Sequence, residues 1–196
     1  DLTYASGSDF ANKNLGFKAL SSAERGKGLA VRKGMLAAKG TYRMMLDADL
    51  SMPVDQIPRF LPPQLEDVDI AIASREAPGA IRYGEPNYRH LGGRLINYMI
   101  RFMVLPGLHD TQCGFKCFRG PVAEDLFAEQ RLDGWSFDVE LLFIARRRGY
   151  TIEEIPIPWF YEQQSHVQPL RDTVQMAIDM VRIRLNARRG KYGSAD

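Results

Sequence analysis

The sequence contains few cysteines, and this scarcity argues against a disulfide-stabilised fold. Cys113 and Cys117 are the only two among 196 residues. On a strand, residues four positions apart lie about 13 Å from each other, which is too far for a disulfide bond. We therefore expect reduced, packed thiols of the kind that cytosolic proteins contain.

The sequence also lacks a strong net charge and a long uninterrupted apolar run. The formal net charge is only +2, so nucleic acid is not expected as a partner, and any basic function would need clustered charges. The most apolar long segment, residues 91–108, is interrupted by Arg94 and Arg101. No secretory signal opens the chain, and we expect no membrane-spanning helix.

What the sequence does contain is an alternation of strands and helices, enough for one apolar core. Apolar spacing and glycine stops predict helices at 27–39, 88–104 and 138–148, and strands at 42–46, 68–73 and 150–158. This order is typical of an α/β domain with a mainly parallel sheet between helices. The last residues, 190–196, are expected to be frayed.

Two carboxylates, Asp47 and Asp49, follow the predicted strand at 42–46 directly. In open α/β sheets, ligands bind beyond the carboxyl ends of the strands. A D-x-D turn in this place can hold Mg²⁺ or Mn²⁺ and leave positions open for phosphate oxygens. A solvated acidic loop is the simpler alternative. A haloacid-dehalogenase-type phosphatase is disfavoured, because Leu50-Ser51 follows the second Asp and no G-D-x-x-x-D motif appears downstream.

Cations and glycines precede the first predicted helix in Arg25-Gly26-Lys27-Gly28. A flexible turn at a helix N-terminus with two cations can face an anion. The segment is not a Walker A loop, and by itself such a glycine turn is a weak signal.

The ordered series RGKGLAVRKGM, AKG, an apolar strand and DADLS resembles the family 2 glycosyltransferases with the GT-A fold. Three later motifs look like the dolichyl-phosphate β-glucosyltransferase branch, which is related to the dolichyl-phosphate mannose synthases: DTQCGFKCFR at 110–119, WSFDVELL at 135–142 and IPIPW at 155–159. The resemblance covers roughly residues 14–165. It implies a hexosyltransferase that moves glucose from UDP-glucose to a polyprenyl or dolichyl phosphate, with inversion at the anomeric carbon.

The resemblance also assigns a donor side to the site. It implies that Asp47 and Asp49 hold the Mg²⁺ or Mn²⁺ together with the donor diphosphate, and Asp49 is a catalytic candidate for this reason. Arg25 and Lys27 are expected to bind the donor next to Asp47. Ser51 stands where the mannose synthases often have Gln, so the resemblance gives it no clear role.

On the acceptor side, Arg75 follows the second strand and matches a Ser-Arg motif of the family. Together with Arg89, Asp110 and Gln112 it is expected to bind the lipid phosphate, although Asp110 could equally be a cap. Asp138 is the second catalytic candidate, because family members that glycosylate hydroxyl groups keep a general base there. A phosphate acceptor is already ionised and needs no base, so an orienting or helix-capping role is the alternative.

Residues 166–196 are predicted to form a basic amphipathic helix and tail, separate from a catalytic domain at 1–165. Apolar residues recur at helical spacing, and arginines crowd the end. The apolar series is Leu170, Val174, Ile178, Val181 and Leu185. Such a helix can lie on an anionic bilayer, or it can pack on the domain with its arginines near its own C-terminal dipole. We expect peripheral association with the cytoplasmic face of a membrane.

Nothing before Asn14 resembles the apolar strands with which family members grip the nucleotide base, so the domain is expected to be incomplete at its N-terminus. Two alternative functions therefore stay open. One is a GDP-mannose-dependent polyprenyl-phosphate mannosyltransferase, and the other is a truncated, non-catalytic module that binds a nucleotide or a lipid phosphate.

Overall fold

The structure is a computed structural model that describes residues 3–49, 51–161 and 169–193, with the backbone alone at 87–89, 91, 169 and 170. Its helices are α1 (Thr3–Lys13), α2 (Lys27–Ala37), α3 (Asn87–Met103), α4 (Gly120–Glu129), α5 (Phe137–Arg147) and α6 (Pro169–Arg188). Its strands are β1 (Tyr42–Leu46), β2 (Ile70–Ser74), β3 (Ile81–Tyr83), β4 (Phe115–Arg119), β5 (Ile152–Pro156) and β6 (Pro158–Phe160). A 3-10 helix spans Val54–Phe60.

The larger sheet contains the predicted parallel arrangement, because β1, β2 and β5 run in the same direction, and it is mixed because β4 runs in the opposite one. Its strand order is β1-β4-β2-β5, and β4 runs antiparallel to both of its neighbours, whereas β2 and β5 are parallel. The sequence pattern did not indicate β4, because five residues that mix Phe115, Cys117 and Phe118 with Lys116 and Arg119 are too few to show a strand period. A second sheet pairs β3 with β6 in parallel.

The sheet separates two apolar clusters because successive side chains of a strand point to opposite faces. Ile70 and Ile72 of β2 pack toward the α-helices, in a cluster that includes residues of α3, α4, α5 and α6. Ala71 and Ala73 point to the other face, where Phe60 of the 3-10 helix packs. The sheet therefore lies between α-helices on one face and, on the other, the 3-10 helix and the segment around β6.

Most predicted elements agree with the structure to within a few residues. This holds for α2, β1, β2, α3 and α5, and the predicted strand at 150–158 is divided between β5 and β6. The opening of the chain, for which the sequence predicted no helix or strand, forms α1, and none of its residues is buried.

The C-terminal helix α6 shares the core of the domain. Met176, Met180 and Ile183 on one of its faces belong to the same apolar cluster as the helix-facing side of the sheet. Tyr192 beyond the helix is 2% exposed, so the predicted fraying of 190–196 is wrong as far as this residue. The predicted domain boundary at 165/166 lies outside the described residues.

In the described part of the chain, no helix combines the length and the apolar content that crossing a membrane requires.

Candidate active site

A pocket opens at the edge of the larger sheet where β1 and β2 end. Because β4 runs the other way, the loop that precedes it reaches this same edge. The pocket is lined by Leu46, Asp47, Asp49, Ser51, Met52, Arg75, Gln112, Cys113, Gly114, Phe115 and Trp159. The position agrees with the general rule that ligands bind at the carboxyl ends of strands.

Asp47 is held between two groups. Its backbone N–H donates to the Gly114 carbonyl at 3.0 Å, and Lys27 Nζ donates to Oδ2 at 2.8 Å. The Lys27 ammonium also lies 5.3 Å from the centre of the Trp135 ring. Lys27 therefore reaches the predicted donor side of the pocket from the first turn of α2, while Arg25 is exposed just before that turn.

Asp49 closes a short turn with Ser51. The Ser51 N–H donates to Asp49 Oδ1 at 3.0 Å, and the residue between them, Leu50, lies outside the described residues. This hydrogen bond orients the Asp49 carboxylate, which lines the same pocket as Asp47.

Gly114 is a site residue that the sequence reasoning did not single out. A Cβ atom built on it would lie 1.8 Å from Asp47 Oδ2, so only glycine can occupy this position without moving the carboxylate. The signal in the sequence is the glycine of the DTQCGFK motif.

The donors around the pocket fit a hard divalent cation. Asp47, Asp49, Ser51 and Gln112 offer carboxylate, hydroxyl and amide oxygens, which are the atoms that Mg²⁺ and Mn²⁺ prefer. Among the described residues, no group of three or more His, Cys, Asp or Glu side chains could form a cage. The two carboxylates of Asp47 and Asp49 suit an ion that is also held by phosphate oxygens of a substrate.

Arg75 is clamped by Asp110. Its Nε and Nη2 donate to the two carboxylate oxygens at 2.6 and 3.0 Å, and its backbone N–H donates to Oδ2 at 3.0 Å. Burial opposes the charge on Asp110, but the Arg75 guanidinium outweighs it and lowers the pKa of Asp110 from 3.8 to about 2. Asp110 is fully buried behind the pocket, so it positions Arg75 and does not itself line the pocket.

Trp159 is a second site residue to which the sequence reasoning gave no role. The guanidinium carbons of Arg75 and Arg82 lie 5.4 and 5.5 Å from the centre of its ring. Arg82 is in turn paired with Glu76 at 2.6 Å and with Glu85 at 2.5 Å. Trp159, the last residue of the IPIPW motif, thus packs against the guanidinium of Arg75, which lines the pocket.

Asp138 is buried behind the pocket, where it contacts Lys116. Lys116 Nζ donates to Asp138 Oδ2 at 3.2 Å and to the Cys113 carbonyl at 2.6 Å. Burial raises the pKa of Asp138, against the opposing effect of Lys116. Asp138 is not among the residues that line the pocket, and the Lys116 pair links it to the pocket wall through Cys113.

The structure thus brings together part of the predicted set. Asp47, Asp49, Arg75 and Gln112 line one pocket, and Lys27 joins them through Asp47. Asp110 and Asp138 lie behind it. The side chain of Arg89 lies outside the described residues.

Comparison with known proteins gives matches over most of the chain. The model of glycosyl transferase family 2 matches residues 1–127. Dolichyl-phosphate beta-glucosyltransferases of Dictyostelium discoideum and Homo sapiens are both 31% identical, over 82% and 86% of this chain and 51% and 54% of their own lengths. The Saccharomyces cerevisiae protein of that name is 32% identical over 87% of this chain and 55% of its own length. The chain spans about half the length of these relatives.

Solved structures show the same fold at low identity. A mycobacterial protein superposes with a TM-score of 0.57 at 18% identity, over 90% of this chain and 55% of the other. Glucosyl-3-phosphoglycerate synthase from Mycobacterium tuberculosis, crystallised with Mn²⁺, UDP-glucose and glycerol 3-phosphate, gives 0.52 at 15% identity, over 90% and 58%. The predicted GT-A fold is confirmed by these likenesses.

Proposed function

This chain belongs to glycosyl transferase family 2, and from that membership we propose that it is an inverting hexosyltransferase that moves glucose from UDP-glucose to a dolichyl or other polyprenyl phosphate. The names of the matched relatives suggest the sugar and the lipid. The observation that carries the proposal is the pocket itself, where two carboxylates and an arginine meet at one sheet edge.

The donor would lie against Asp47, Asp49 and Lys27. The two carboxylates would hold Mg²⁺ or Mn²⁺, which when bound supplies positive charge to the leaving diphosphate. Lys27 lies 2.8 Å from Asp47 and belongs to the first turn of α2, whose N-terminal N–H groups favour an anion. The Lys27 ammonium is therefore placed to bind a diphosphate oxygen next to the carboxylates.

The acceptor phosphate would meet Arg75, which Asp110 and Trp159 hold at the pocket. A phosphate monoester has its second ionisation near pKa 6, so most of it is dianionic at pH 7 and attacks without a general base. The burial of Asp138 against Lys116 suits such an acceptor, because neither residue lines the pocket. Asp138 would then orient the pocket wall through Lys116 and would not remove a proton.

Incubation of the full chain with dolichyl phosphate, Mn²⁺ and either labelled UDP-glucose or labelled GDP-mannose tests the function. We expect labelled lipid from UDP-glucose only, and none after chelation of the metal. Labelled lipid from GDP-mannose would favour a mannosyltransferase instead. Calorimetric binding of UDP with Mn²⁺ without any product would favour a non-catalytic binding module.

We also propose peripheral association with a membrane, carried by the outer face of α6. Its inner face packs into the core, whereas Val174, Ile178, Val181 and Leu185 are exposed. These two stripes are offset by two residues, which is about 200° on an α-helix, so they lie on opposite faces. Exposed arginines flank the outer stripe: Arg171, Arg182, Arg184, Arg188 and Arg189. Apolar side chains between cations suit the surface of an anionic bilayer.

Helix α3, beside α6, adds exposed apolar side chains to this proposed contact. It contacts α6, and both helices pack their inner sides into one cluster, so their outer sides point away from the same core. Leu95, Tyr98 and Phe102 are exposed on α3, and Phe102 is 90% exposed. Because Cys113 and Cys117 are free thiols, a reducing compartment suits the chain, and we place the contact on the cytoplasmic face.

A further inference from the structure

We propose that Glu140 and Tyr192 are positioning residues for the donor loop, which we define as residues 25–28. The inference rests on the proposed function, because it assigns to these residues the placement of Lys27 at the donor side. Neither residue lines the pocket, and Tyr192 belongs to a C-terminal segment that the sequence predicted to be frayed.

Glu140 is a fully buried carboxylate that joins two distant segments. Its Oε2 accepts hydrogen bonds from the backbone N–H groups of Arg131 and Leu132 at 2.8 and 2.7 Å. Its Oε1 accepts one from the Tyr192 hydroxyl at 2.7 Å. A buried carboxylate is costly unless such donors satisfy it, so the three hydrogen bonds hold both segments on α5.

The C-terminal segment is held at further points. Arg148 donates to the Tyr192 carbonyl at 2.9 Å, and Arg131 donates to the Lys191 carbonyl at 2.6 Å. The residues that follow α6 are therefore bound to the segment that follows α4, and Tyr192 is the part of this contact that reaches Glu140.

The segment held by Glu140 packs directly on the donor loop. The Leu29 N–H donates to the Asp133 carbonyl at 3.3 Å. A Cβ atom on Gly26 would lie 2.4 Å from that same carbonyl oxygen, and one on Gly28 would lie 2.7 Å from the Leu132 carbonyl oxygen. Both glycines beside Lys27 are thus in close contact with residues 132 and 133, and the loop has no room to move toward them.

These contacts of Gly26 and Gly28 fix the position of Lys27. It lies between the two packed glycines, with its ammonium against Trp135 and 2.8 Å from Asp47. A shift of residues 131–133 would therefore move the cation relative to the carboxylates. Because a small misplacement of a binding group is costly, the loss of a bond to Glu140 should weaken donor binding.

Conservative variants of the full chain test this. Tyr192→Phe removes only the hydroxyl, and Glu140→Gln keeps the shape of the side chain but removes its charge. Tyr150→Phe is a matched control, because Tyr150 also donates its hydroxyl to a carboxylate, Asp125, at 2.9 Å, and does so away from the donor loop. Circular dichroism verifies that each variant is folded.

Amide hydrogen exchange and kinetics give the decisive measurements. We expect exchange at Arg131, Leu132 and Leu29 to accelerate by about tenfold in Tyr192→Phe and Glu140→Gln, as expected when hydrogen bonds to a charged group are lost. The KM for UDP-glucose should rise severalfold, with the KM for the lipid acceptor unchanged. Tyr150→Phe should change neither. In a Trp159→Phe background, acrylamide quenching of the remaining Trp135 should increase only in the first two variants.

The inference is overturned if Tyr192→Phe lowers stability as Tyr150→Phe does while the three amides, the Trp135 quenching and the donor KM stay unchanged. In that case Tyr192 and Glu140 would only stabilise the fold. If the wild-type chain transfers no glucose, the proposed function fails, whereas the exchange and quenching measurements still decide whether Glu140 and Tyr192 hold the donor loop.

Discussion

Gly114 touches the carboxylate of Asp47 so closely that a Cβ atom on the glycine would lie 1.8 Å from Oδ2 and 2.2 Å from Cγ. The loop that enters β4 therefore supports one of the two carboxylates that follow β1. The Gly114 carbonyl also accepts a hydrogen bond from the Asp47 N–H. Gly114 therefore positions both the backbone and the side chain of Asp47.

Gly114→Ala should displace the Asp47 carboxylate and lower kcat/KM for transfer by about 100-fold, since a misplacement of about 1 Å costs that much. Gly34→Ala is the control, because Gly34 lies in α2 with no atom within 4 Å of an added Cβ. That variant should keep full activity and gain up to about 1 kcal/mol of stability. Wild-type turnover in Gly114→Ala would show that transfer does not depend on this contact.

Asp49→Asn should reduce transfer by at least about 100-fold, because it removes one of the two carboxylates that would hold the divalent cation. Calorimetric titration of Asp49→Asn with Mn²⁺ should show weaker binding of the ion than in the wild type. Asp9→Asn removes only an exposed pair with Lys13 on α1 and should leave both measurements unchanged. The metal assignment fails if Asp49→Asn binds Mn²⁺ and turns over as the wild type does.

The Arg75–Asp110 pair should make stability depend on pH in acid. The pKa of Asp110 is about 2 in the folded chain and 3.8 ordinarily, so its stabilisation is complete above about pH 5. It is lost as the pH falls through 3.8 toward 2, at a cost of about 2 kcal/mol. Urea unfolding between pH 5.5 and pH 2.5 should show that much extra loss in the wild type compared with Asp110→Asn. Parallel curves for the two proteins would contradict this.

Asp138→Asn should slow transfer to polyprenyl phosphate less than Asp49→Asn does, because the buried Asp138 contacts Lys116 and not the pocket. Its residual rate should rise with pH through the second ionisation of the acceptor phosphate, near pKa 6. The measurement is the rate between pH 5 and pH 8. A loss as complete as that of Asp49→Asn, with a profile that no longer follows the phosphate, would identify Asp138 as a general base and indicate a hydroxyl acceptor.

Ile178→Glu with Val181→Glu should abolish sedimentation with anionic vesicles, because both side chains are exposed on the outer face of α6. The stability of the fold should hardly change, since neither residue packs in the core. Leu15→Glu with Leu20→Glu places the same two charges on other exposed apolar residues and should leave vesicle binding intact. If the α6 double variant still sediments with vesicles, the membrane contact lies elsewhere on the protein.

The local sequence was sufficient for much of the fold. Residues 27–37, 42–46 and 137–147 show their periodicity within a few turns or strand residues, and the structure forms α2, β1 and α5 there. Asp47 and Asp49 could be placed at the pocket from sequence, because a carboxylate that directly follows a strand lies at the end of the sheet whatever the neighbouring strands are.

Contacts between residues far apart in the chain could not be predicted in this way. The insertion of an antiparallel β4 between β1 and β2, and the pairs Arg75–Asp110 and Lys116–Asp138, join residues 22 or more positions apart. The residues next to a charged side chain in the sequence are the same whether that side chain faces a substrate or a buried partner. Packing therefore decided that Asp110 and Asp138 lie behind the pocket.

Helix α6 shows both what the local sequence determined and what the tertiary structure decided. Its apolar spacing predicted a helix that contains Val174, Ile178, Val181 and Leu185, and the helix is present. However, α6 carries two apolar stripes on opposite sides, and periodicity alone does not say which one meets the domain. The structure buries the stripe of Met176 and leaves that of Val174 exposed, because only the tertiary fold places the core on one side of the helix.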